Sequence, residues 1–335
     1  MPSVTVVVAA RPGQAMIKAV PAARALEYPP DRLEIVVARG KQPSAQRNAA
    51  IKEARGEWIY FLDDDSVPHP DNLSKVAAYF SRPEVKMVGG PNLCPADAPE
   101  LEHIFALVLS SWVFASSRSR YSQVGVPRET SEKELILCNL LARRDALLEL
   151  GGFNEALYPN EENALMDELQ KRGGKLVYDP ELIVFRRPRS SLAAFARMLM
   201  TYGRGRAEQF RLHPTTGSAL NFAPPLFVVY LLSLIAEPWI GPVWFAPLTA
   251  YLGLVLIQAV ALARKRPEPR NSSSTPVQQA SKPGPALHLW RAAAATPLVF
   301  LTPILYGLGF WRGLFTVLRK PGERQPVQVI LEHVA

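Results

Sequence analysis

The chain has 335 residues, of which 48% are hydrophobic and 20% charged, and its formal net charge is +8. This length accommodates one sizeable domain with additional segments. The two cysteines, Cys94 and Cys138, lack the spacing of a zinc site or a disulfide framework, and they fit a reducing compartment. A basic chain can bind nucleic acid, but these arginines lie beside apolar segments, which favours a membrane surface and argues against a nucleic-acid partner. The apolar run Val4 to Ala10 is too short for a signal peptide.

The first 65 residues alternate between buried strands and helices. Apolar, β-branched runs predict strands at 4–10 and 33–38, and a third strand runs from Trp58 to Leu62. Helices are predicted at about 14–26 and from a cap at Ser44 to Ala54. This order predicts a doubly wound parallel sheet, in which ligands bind beyond the carboxyl ends of the strands.

The third strand ends in three adjacent carboxylates, Asp63, Asp64 and Asp65. Such crowding is costly without a counter-ion, and these oxygen ligands suit Mg²⁺ or Mn²⁺ shared with substrate phosphates. A solvated acidic loop is the alternative for the three residues taken alone. The neighbouring strand ends carry Arg11-Pro12-Gly13 and Arg39-Gly40-Lys41, and two basic loops beside an acidic one suit a nucleotide diphosphate. Neither a Gly-x-Gly-x-x-Gly nor a Walker A motif is present, which disfavours a dinucleotide site or an NTPase.

The middle of the chain contributes further sheet and helix segments. The predicted elements are helices at 71–80, 101–115 and 164–171 and a strand at 85–90. The polar stretch 118–133 is interpreted as a mobile loop near the active site. Glu161 and Glu162 open the last of these helices, where the helix dipole favours carboxylates, so that position by itself explains them without a catalytic role.

The last third of the chain contains a basic amphipathic segment followed by apolar stretches. Between residues 185 and 212, arginines alternate with apolar side chains, which predicts contact with a membrane interface or an anionic acceptor. A solvated charged face is the alternative. Residues 219–264 hold two apolar stretches, Phe222–Ile240 and Val243–Ala263, each close to the ~20 residues of a membrane span.

A third apolar segment, at 286–318, follows a Pro/Ser-rich linker at 265–285. If the N-terminal domain is cytoplasmic, two spans return the chain inside, where Arg264-Lys265-Arg266 obeys the positive-inside rule. A third full crossing would break that rule. The third segment is therefore either re-entrant or paired with a short helix formed by Leu314–Leu318.

Several motifs, in this order and at this spacing, resemble the family-2 glycosyltransferases with the GT-A fold. They are Pro43–Ile51, Ala54–Glu57, Phe61–Asp65, Arg143-Arg144, Gly151–Glu155, Asn160–Glu162 and Lys175–Glu181. Tyr202–Arg206, ahead of apolar segments, resembles the membrane-bound members that build bacterial polysaccharides. The resemblance covers about residues 3–210 and implies an α/β, Rossmann-like GT-A domain at 1–212 followed by C-terminal transmembrane helices. Residues 319–335 are predicted to form a C-terminal tail.

The resemblance also implies a chemistry and its residues. It implies inversion at the anomeric carbon of a nucleotide-diphosphate sugar, with a UDP-sugar expected, and a divalent metal ion, Mn²⁺ or Mg²⁺. Asp63 and Asp65 fall on the family's DxD positions and are the expected metal ligands. Glu162 falls on the position of the catalytic base, with Glu161 beside it as a second candidate. The expected donor-binding residues are Ala10, Arg11, Arg39, Arg47, Asn48, Asp63 and Asp64.

Three departures from the family pattern bear on function. The loops at Arg11 and Arg39 replace residues that usually lie near the nucleotide base, Arg186 replaces a frequent His, and the processive Gln-x-x-Arg-Trp motif is absent. The expected function is a non-processive, inverting glycosyltransferase, multi-pass in the inner membrane with a cytoplasmic catalytic domain. Its expected acceptor is a lipid-linked or polysaccharide glycan. The alternative is a degenerate GT-A domain that serves as a non-catalytic partner in envelope polysaccharide assembly.

Overall fold

The computed structural model describes residues 1–157, 159–212, 214, 216–236, 241–264, 285–318 and 327–334. The chain forms two compact units. The first contains Met1–Leu93, Ser116–Arg186 and the described C-terminal residues 327–334, and the second contains Cys94–Ala115 and Arg187–Leu318.

The first unit is built on a mixed β-sheet. Its strands, with those of a smaller sheet, are β1 (Val4–Ala10), β2 (Leu33–Arg39), β3 (Trp58–Asp63), β4 (Val67–Pro68), β5 (Val85–Gly89), β6 (Asn92–Leu93), β7 (Arg128–Thr130), β8 (Leu140–Arg143), β9 (Lys175–Tyr178), β10 (Val184–Phe185) and β11 (Ile330–His333). The order in the larger sheet is β11-β2-β1-β3-β8-β5-β9-β7, and that in the smaller sheet is β4-β10-β6. β1 pairs in parallel with both β2 and β3, which confirms the parallel beginning expected from the sequence.

The helices follow the strands in the order expected of an α/β fold. They are α1 (Ala19–Arg24), α2 (Pro43–Glu53), α3 (Asn72–Phe80), α4 (Glu100–Leu109), α5 (Ala115–Tyr121), α6 (Arg144–Glu149), α7 (Glu161–Lys171), α8 (Leu192–Leu212), α9 (Ala223–Ser233), α10 (Ala246–Arg264) and α11 (Pro285–Phe315). Short 3₁₀ turns lie at Pro30–Arg32, Trp112–Phe114, Leu137–Asn139, Thr216–Phe222, Leu234–Ala236 and Pro242–Phe245.

Strand β3 shows why the centre of the sheet is apolar on both faces. Trp58, Tyr60 and Leu62 contribute to one core cluster, and Ile59 and Phe61 contribute to the other. All five side chains are at most 1% exposed. Because successive side chains of a strand point to opposite faces, a continuous apolar run is the signature of a strand covered on both sides.

Several local expectations differ from the structure. The helix after β1 spans only Ala19–Arg24, because the chain from Gln14 first runs past the acidic cluster, where the Gln14 amide binds Asp64. The cap of α2 is Gln42, whose side chain accepts from the backbone N–H of Ala45; the expected cap, Ser44, is the second residue of the helix.

The stretch 118–133, interpreted from the sequence as a mobile loop, contains secondary structure at both 118–121 and 128–130. It supplies the end of α5 and the strand β7, which pairs antiparallel with β9. Arg128 of this strand forms an ion pair of 2.7 Å with Glu134. The polar composition that indicated a loop therefore belongs to an edge strand, where charged side chains are well tolerated.

The C-terminal residues described here also join the sheet, which the sequence did not indicate. Strand β11 pairs antiparallel with β2, with Ile330 opposite Arg39 and His333 opposite Val36. Leu331 packs against the apolar cluster on one face of the sheet. The segment interpreted as a tail thus covers the edge of β2.

The second unit is helical and contains the apolar segments. Two helical stretches, Pro242–Ala261 and Ala286–Phe315, are long and apolar enough to cross a membrane. In their most apolar 18 residues, 11% and 33% of the residues are buried, respectively. The first expected span is shorter than predicted in its described part: α9 has 11 residues, within an apolar helical stretch Ala219–Ser233. The helix is followed by the 3₁₀ turn Leu234–Ala236, and residues 237–240 of that span and 265–284 of the linker lie outside the described residues.

The third apolar segment forms one continuous helix, α11, through Pro297 and Pro303 to Phe315. No separate partner helix begins at Leu314, because that residue is still within α11. Helix α8, which carries the basic amphipathic pattern, packs closely on α11: a Cβ added to Gly203 would lie 2.0 Å from the carbonyl oxygen of Tyr306. Small residues are what allow two helix backbones to approach this closely.

Candidate active site

The acidic cluster lies on a tight turn at the carboxyl end of β3. The backbone N–H of Asp63 donates to Ser66 Oγ at 3.2 Å, and the N–H of Ser66 donates to the carbonyl oxygen of Asp63 at 3.0 Å. The turn leads directly into β4, so the chain cannot carry the carboxylates away from the sheet. Asp63 and Asp65 are 25% and 43% exposed at the side chain, so both remain accessible to a ligand.

Two arginines hold this cluster from opposite parts of the sequence. Arg186 Nη1 lies 3.0 Å from Asp63 Oδ2, and Arg186 Nε donates to Asp65 Oδ1 at 2.6 Å. Arg47 Nη2 lies 3.2 Å from Asp63 Oδ1. Burial lowers the pKa of the Arg186 guanidinium, but the negative charges around it, Asp63 first among them, outweigh that effect and raise the pKa above its ordinary value.

Arg47 also connects the acidic cluster to the Glu161-Glu162 pair. Its Nη1 lies 3.1 Å from Glu161 Oε1, and the side chains of Arg47 and Glu161 are 8% and 3% exposed. Asn160, the residue before the helix α7, has a φ of 85° in the left-handed region, which turns the chain into the helix at this point. The structure therefore brings together the two groups of carboxylates that the sequence singled out separately.

The two glutamates have different surroundings. Glu161 is buried, and its Oε2 atom has no hydrogen-bond partner in the described part of the chain. Glu162 is half-buried and takes part in none of the ion pairs among the described residues. Glu162 is consequently the more accessible of the two carboxylates.

The remaining predicted donor-binding residues are distributed around the strand ends. Asp64 accepts from Gln14 Nε2 at 2.6 Å, and Arg11 is exposed. Arg39 pairs with Glu332 of β11 at 2.7 Å and donates to the carbonyl oxygen of Gln14 at 2.8 Å.

Ala10 and Asn48 make contacts that hold the fold together. The carbonyl oxygen of Ala10 accepts from the N–H of Gly40 at 3.1 Å and from the Gln46 amide at 2.8 Å. Asn48 bonds both backbone groups of Phe153 and the Glu155 carboxylate, so it fixes the loop 152–155.

Sequence reasoning missed two residues of this site. Arg186 was noted as a departure from a pattern, and its partner Asp65 lies 121 positions away, too far for spacing to connect them. Glu332 was left in the tail.

Comparison with known proteins identifies the family to which the chain belongs. The family described as "Glycosyltransferase like family 2" matches residues 1–201, more than half of the chain. The chain belongs to this family. Two curated relatives, the "Pre-mycofactocin glycosyltransferase" of Mycobacterium tuberculosis strains CDC 1551 and H37Rv, are each 22% identical over 195 residues. Those residues are 58% of this chain and only 40% of the relatives' length.

A solved structure shows the same fold. The mannosyltransferase PcManGT from Pyrobaculum calidifontis, solved in complex with GDP-Man and Mn²⁺, is 18% identical, and the match covers 94% of this chain and 87% of that one with a TM-score of 0.51. The family-2 chain described here thus has a GT-A-like mixed α/β fold with C-terminal helices, of which two stretches are apolar enough to span a membrane.

The divalent ion expected from the sequence would be held by carboxylates of the acidic turn. Such an ion needs oxygen atoms of Asp63 and Asp65, and both side chains are already paired with the Arg186 guanidinium. Within the described residues, no three His, Cys, Asp or Glu side chains form a group that could hold a metal ion. In this structure the guanidinium of Arg186 is bound to Asp63 and Asp65, the two side chains that a divalent ion would use.

Glu161 gives a prediction about pH. Burial, followed by the charge of Glu162, raises the pKa of Glu161 to about 8, although Arg47 opposes this. A carboxyl whose pKa is raised from 4.5 on folding binds more protons in the folded than in the unfolded state, so stability falls as the pH rises from about 4.5 to about 8.

We expect Glu161→Gln to remove this pH dependence, because the amide is neutral at every pH. Thermal unfolding of the full chain in detergent checks this. The unfolding temperatures of the variant and the wild type should be equal near pH 5, and that of the variant should be higher by several °C near pH 8.5. Glu168→Gln, which removes an exposed carboxylate on the same helix, is the control. Parallel pH curves for wild type and Glu161→Gln would contradict the assigned pKa.

Proposed function

We propose that this protein transfers a sugar from a nucleotide-diphosphate sugar to a hydroxyl group of an acceptor, with inversion at the anomeric carbon. The observation that carries the proposal is the single arginine, Arg47, that binds both Asp63 and Glu161. This link between the acidic turn and the first turn of α7, which also carries Glu162, supports a single site at the carboxyl ends of the parallel strands β1, β2 and β3, where ligands of parallel sheets bind.

In the proposed reaction, each part of the site has one role. Glu162 takes the proton of the acceptor hydroxyl, whose oxygen forms a bond to the anomeric carbon. The bond from that carbon to the diphosphate oxygen breaks, and the electron pair leaves with the nucleoside diphosphate. Positively charged groups at the strand ends then stabilise the charge that develops on the leaving group.

The donor is proposed to be a nucleoside-diphosphate sugar, with UDP-sugars expected from the sequence. PcManGT was solved with GDP-Man, so a guanosine donor is the second candidate, and both are included in the tests below. The same structure contained Mn²⁺. A divalent ion in this chain would require Arg186 to release Asp63 and Asp65, so the proposed reaction does not include one.

The acceptor is proposed to be a lipid-linked or polysaccharide glycan at a membrane. Support comes from the two helical stretches of spanning length and from their exposed apolar side chains, such as Ile257 at 61% and Leu256 at 60%. The proposal includes a multi-pass inner-membrane location, a cytoplasmic catalytic domain and the addition of single sugars.

A non-catalytic role in an envelope assembly is the competing function, favoured by the engagement of Arg39 with Glu332 where a nucleotide base would be bound. Turnover of radiolabelled UDP-glucose and GDP-mannose by the full chain in nanodiscs, with membrane lipid extract as acceptor, separates the two. Labelled lipid product from either donor supports the enzyme. Absence of product, together with absence of UDP and GDP binding by calorimetry, would favour the non-catalytic partner.

A further inference from the structure

The guanidinium of Arg186 lies between the two carboxylates of the acidic turn. Its Nη1 is 3.0 Å from Asp63 Oδ2, and its Nε is 2.6 Å from Asp65 Oδ1. A guanidinium has five N–H donors in a fixed planar arrangement, so these contacts leave donors for a further anion. The side chain is 23% exposed, which allows a ligand to reach it.

The backbone fixes this arginine in place. Arg186 directly follows β10, and its N–H donates to the carbonyl oxygen of Leu93 at 3.0 Å. Phe185, the preceding residue, is paired with Val67, which comes two residues after Asp65. The small sheet therefore ties the arginine to the chain that carries the carboxylates, so the guanidinium is preorganised at the turn.

The neighbouring strand ends add positive charge. Arg11 follows β1 and Lys41 follows β2, and both are exposed. Ala9 of β1 is paired with Asp63, and Ala10 with Arg39, so these strand ends lie side by side at one edge of the sheet. A diphosphate bound there would lie near these cationic side chains.

We propose that Arg186 is the cation that binds the diphosphate of the donor, so that donor binding and departure of the leaving group proceed without a divalent metal ion. The inference rests on the proposed glycosyl transfer. When the bond between the anomeric carbon and the diphosphate oxygen breaks, the electron pair stays on that oxygen. Arginine N–H donors bind phosphate oxygens with charge-assisted hydrogen bonds and stabilise the developing charge. Asp63 and Asp65 orient the guanidinium.

The test uses the full chain in detergent, stripped with EDTA, and the probes UDP, GDP, UDP-glucose and GDP-mannose. Calorimetry measures UDP and GDP binding with EDTA and with Mn²⁺, and a coupled assay measures nucleoside diphosphate released from the sugars. The wild type should bind UDP or GDP with the same affinity, and release nucleoside diphosphate from the sugar donor at the same rate, in EDTA and in Mn²⁺. Arg186→Gln should lose roughly 100-fold in turnover, as expected when one stabilising donor is removed. Arg186→Lys should have higher turnover than Arg186→Gln because the positive charge is kept. It should remain below the wild type because the planar pair of guanidinium N–H donors is lost.

Arg186→His supplies the sharper test. It leaves two carboxylates and adds an imidazole, which together are suitable ligands for a divalent ion. We expect this variant to require Mn²⁺ for both nucleotide binding and turnover, unlike the wild type. Arg82→His, which alters an exposed arginine paired with Glu84, is the matched control and should remain independent of Mn²⁺. Thermal unfolding shows whether each variant is folded.

The possible results separate the two proposals. If the wild type loses nucleotide binding and turnover in EDTA and regains both with Mn²⁺, the role of Arg186 is overturned while the glycosyl transfer stands. If folded Arg186→Gln binds and turns over like the wild type, the role is also overturned. If the wild type neither binds UDP or GDP nor releases nucleotide in any condition, both the glycosyl transfer and this inference fail.

Discussion

Replacement of Glu162 by glutamine is expected to lower the turnover of the nucleotide sugar by about 10²–10⁴-fold, the usual contribution of a general base. The amide keeps the size of the side chain and its place in the first turn of α7, but it cannot accept the proton of the acceptor hydroxyl. Binding of the nucleoside diphosphate should be unchanged, because Glu162 lies on the acceptor side of the proposed reaction. Initial rates at saturating donor, with calorimetry of UDP and GDP, measure the two effects separately.

Glu168→Gln is the matched control for this experiment, since Glu168 is on the same helix and is 46% exposed in an ion pair with Arg172. It should leave turnover within about twofold of the wild type, because exposed pairs contribute little. An equal loss of turnover in Glu162→Gln and Glu168→Gln would indicate a general disturbance of α7 and would contradict the role of Glu162 as the base. Retained turnover in Glu162→Gln with loss in Glu161→Gln would move the role of base to Glu161.

Replacement of Arg47 by methionine is expected to cause the largest loss of stability in the first unit. Arg47 holds Asp63 and the buried Glu161 at 3.2 and 3.1 Å, and removing one partner of a buried pair typically costs about 3–5 kcal/mol. The loss should be smaller near pH 5, where Glu161 is protonated and needs no counter-charge. Chemical denaturation of the full chain at pH 5 and pH 8 measures it.

The double variant Arg47→Met/Glu161→Gln tests the cause. Because the second change removes the buried charge, we expect it to restore part of the stability lost at pH 8, and this coupling is the signature of a direct pair. Arg82→Met, in an exposed pair with Glu84, is the control and should change the free energy of unfolding by less than about 1 kcal/mol. Strictly additive effects of the two site changes would contradict the proposed link.

The sequence was sufficient for the parts of the fold that depend on local pattern. The continuous apolar run of β3 and its abrupt end at Asp63 predicted a strand covered on both faces that ends in carboxylates. The alternation of elements predicted the parallel pairing of β1 with β2 and β3, which the structure confirms. These features follow from periodicity and from the chemistry of neighbouring residues, which a single sequence contains.

The features that were missed depend on pairs distant in sequence. Strand β11 lies about 290 residues after β2, and its short run of mixed residues has no periodicity that indicates a partner. The cap of α2 by Gln42, instead of Ser44, depends on the direction in which the preceding chain enters the helix. The Arg186 contacts depend on the small sheet of β4, β10 and β6, whose two-residue strands are too short for pattern recognition.

A structure of the full chain in nanodiscs with UDP or GDP bound tests the proposed site most directly. We expect the diphosphate to lie at the carboxyl ends of β1, β2 and β3, against the turn that begins at Asp63, with Glu162 facing the same space. A nucleotide bound elsewhere in the protein, or a diphosphate out of reach of this turn, would contradict the proposed site.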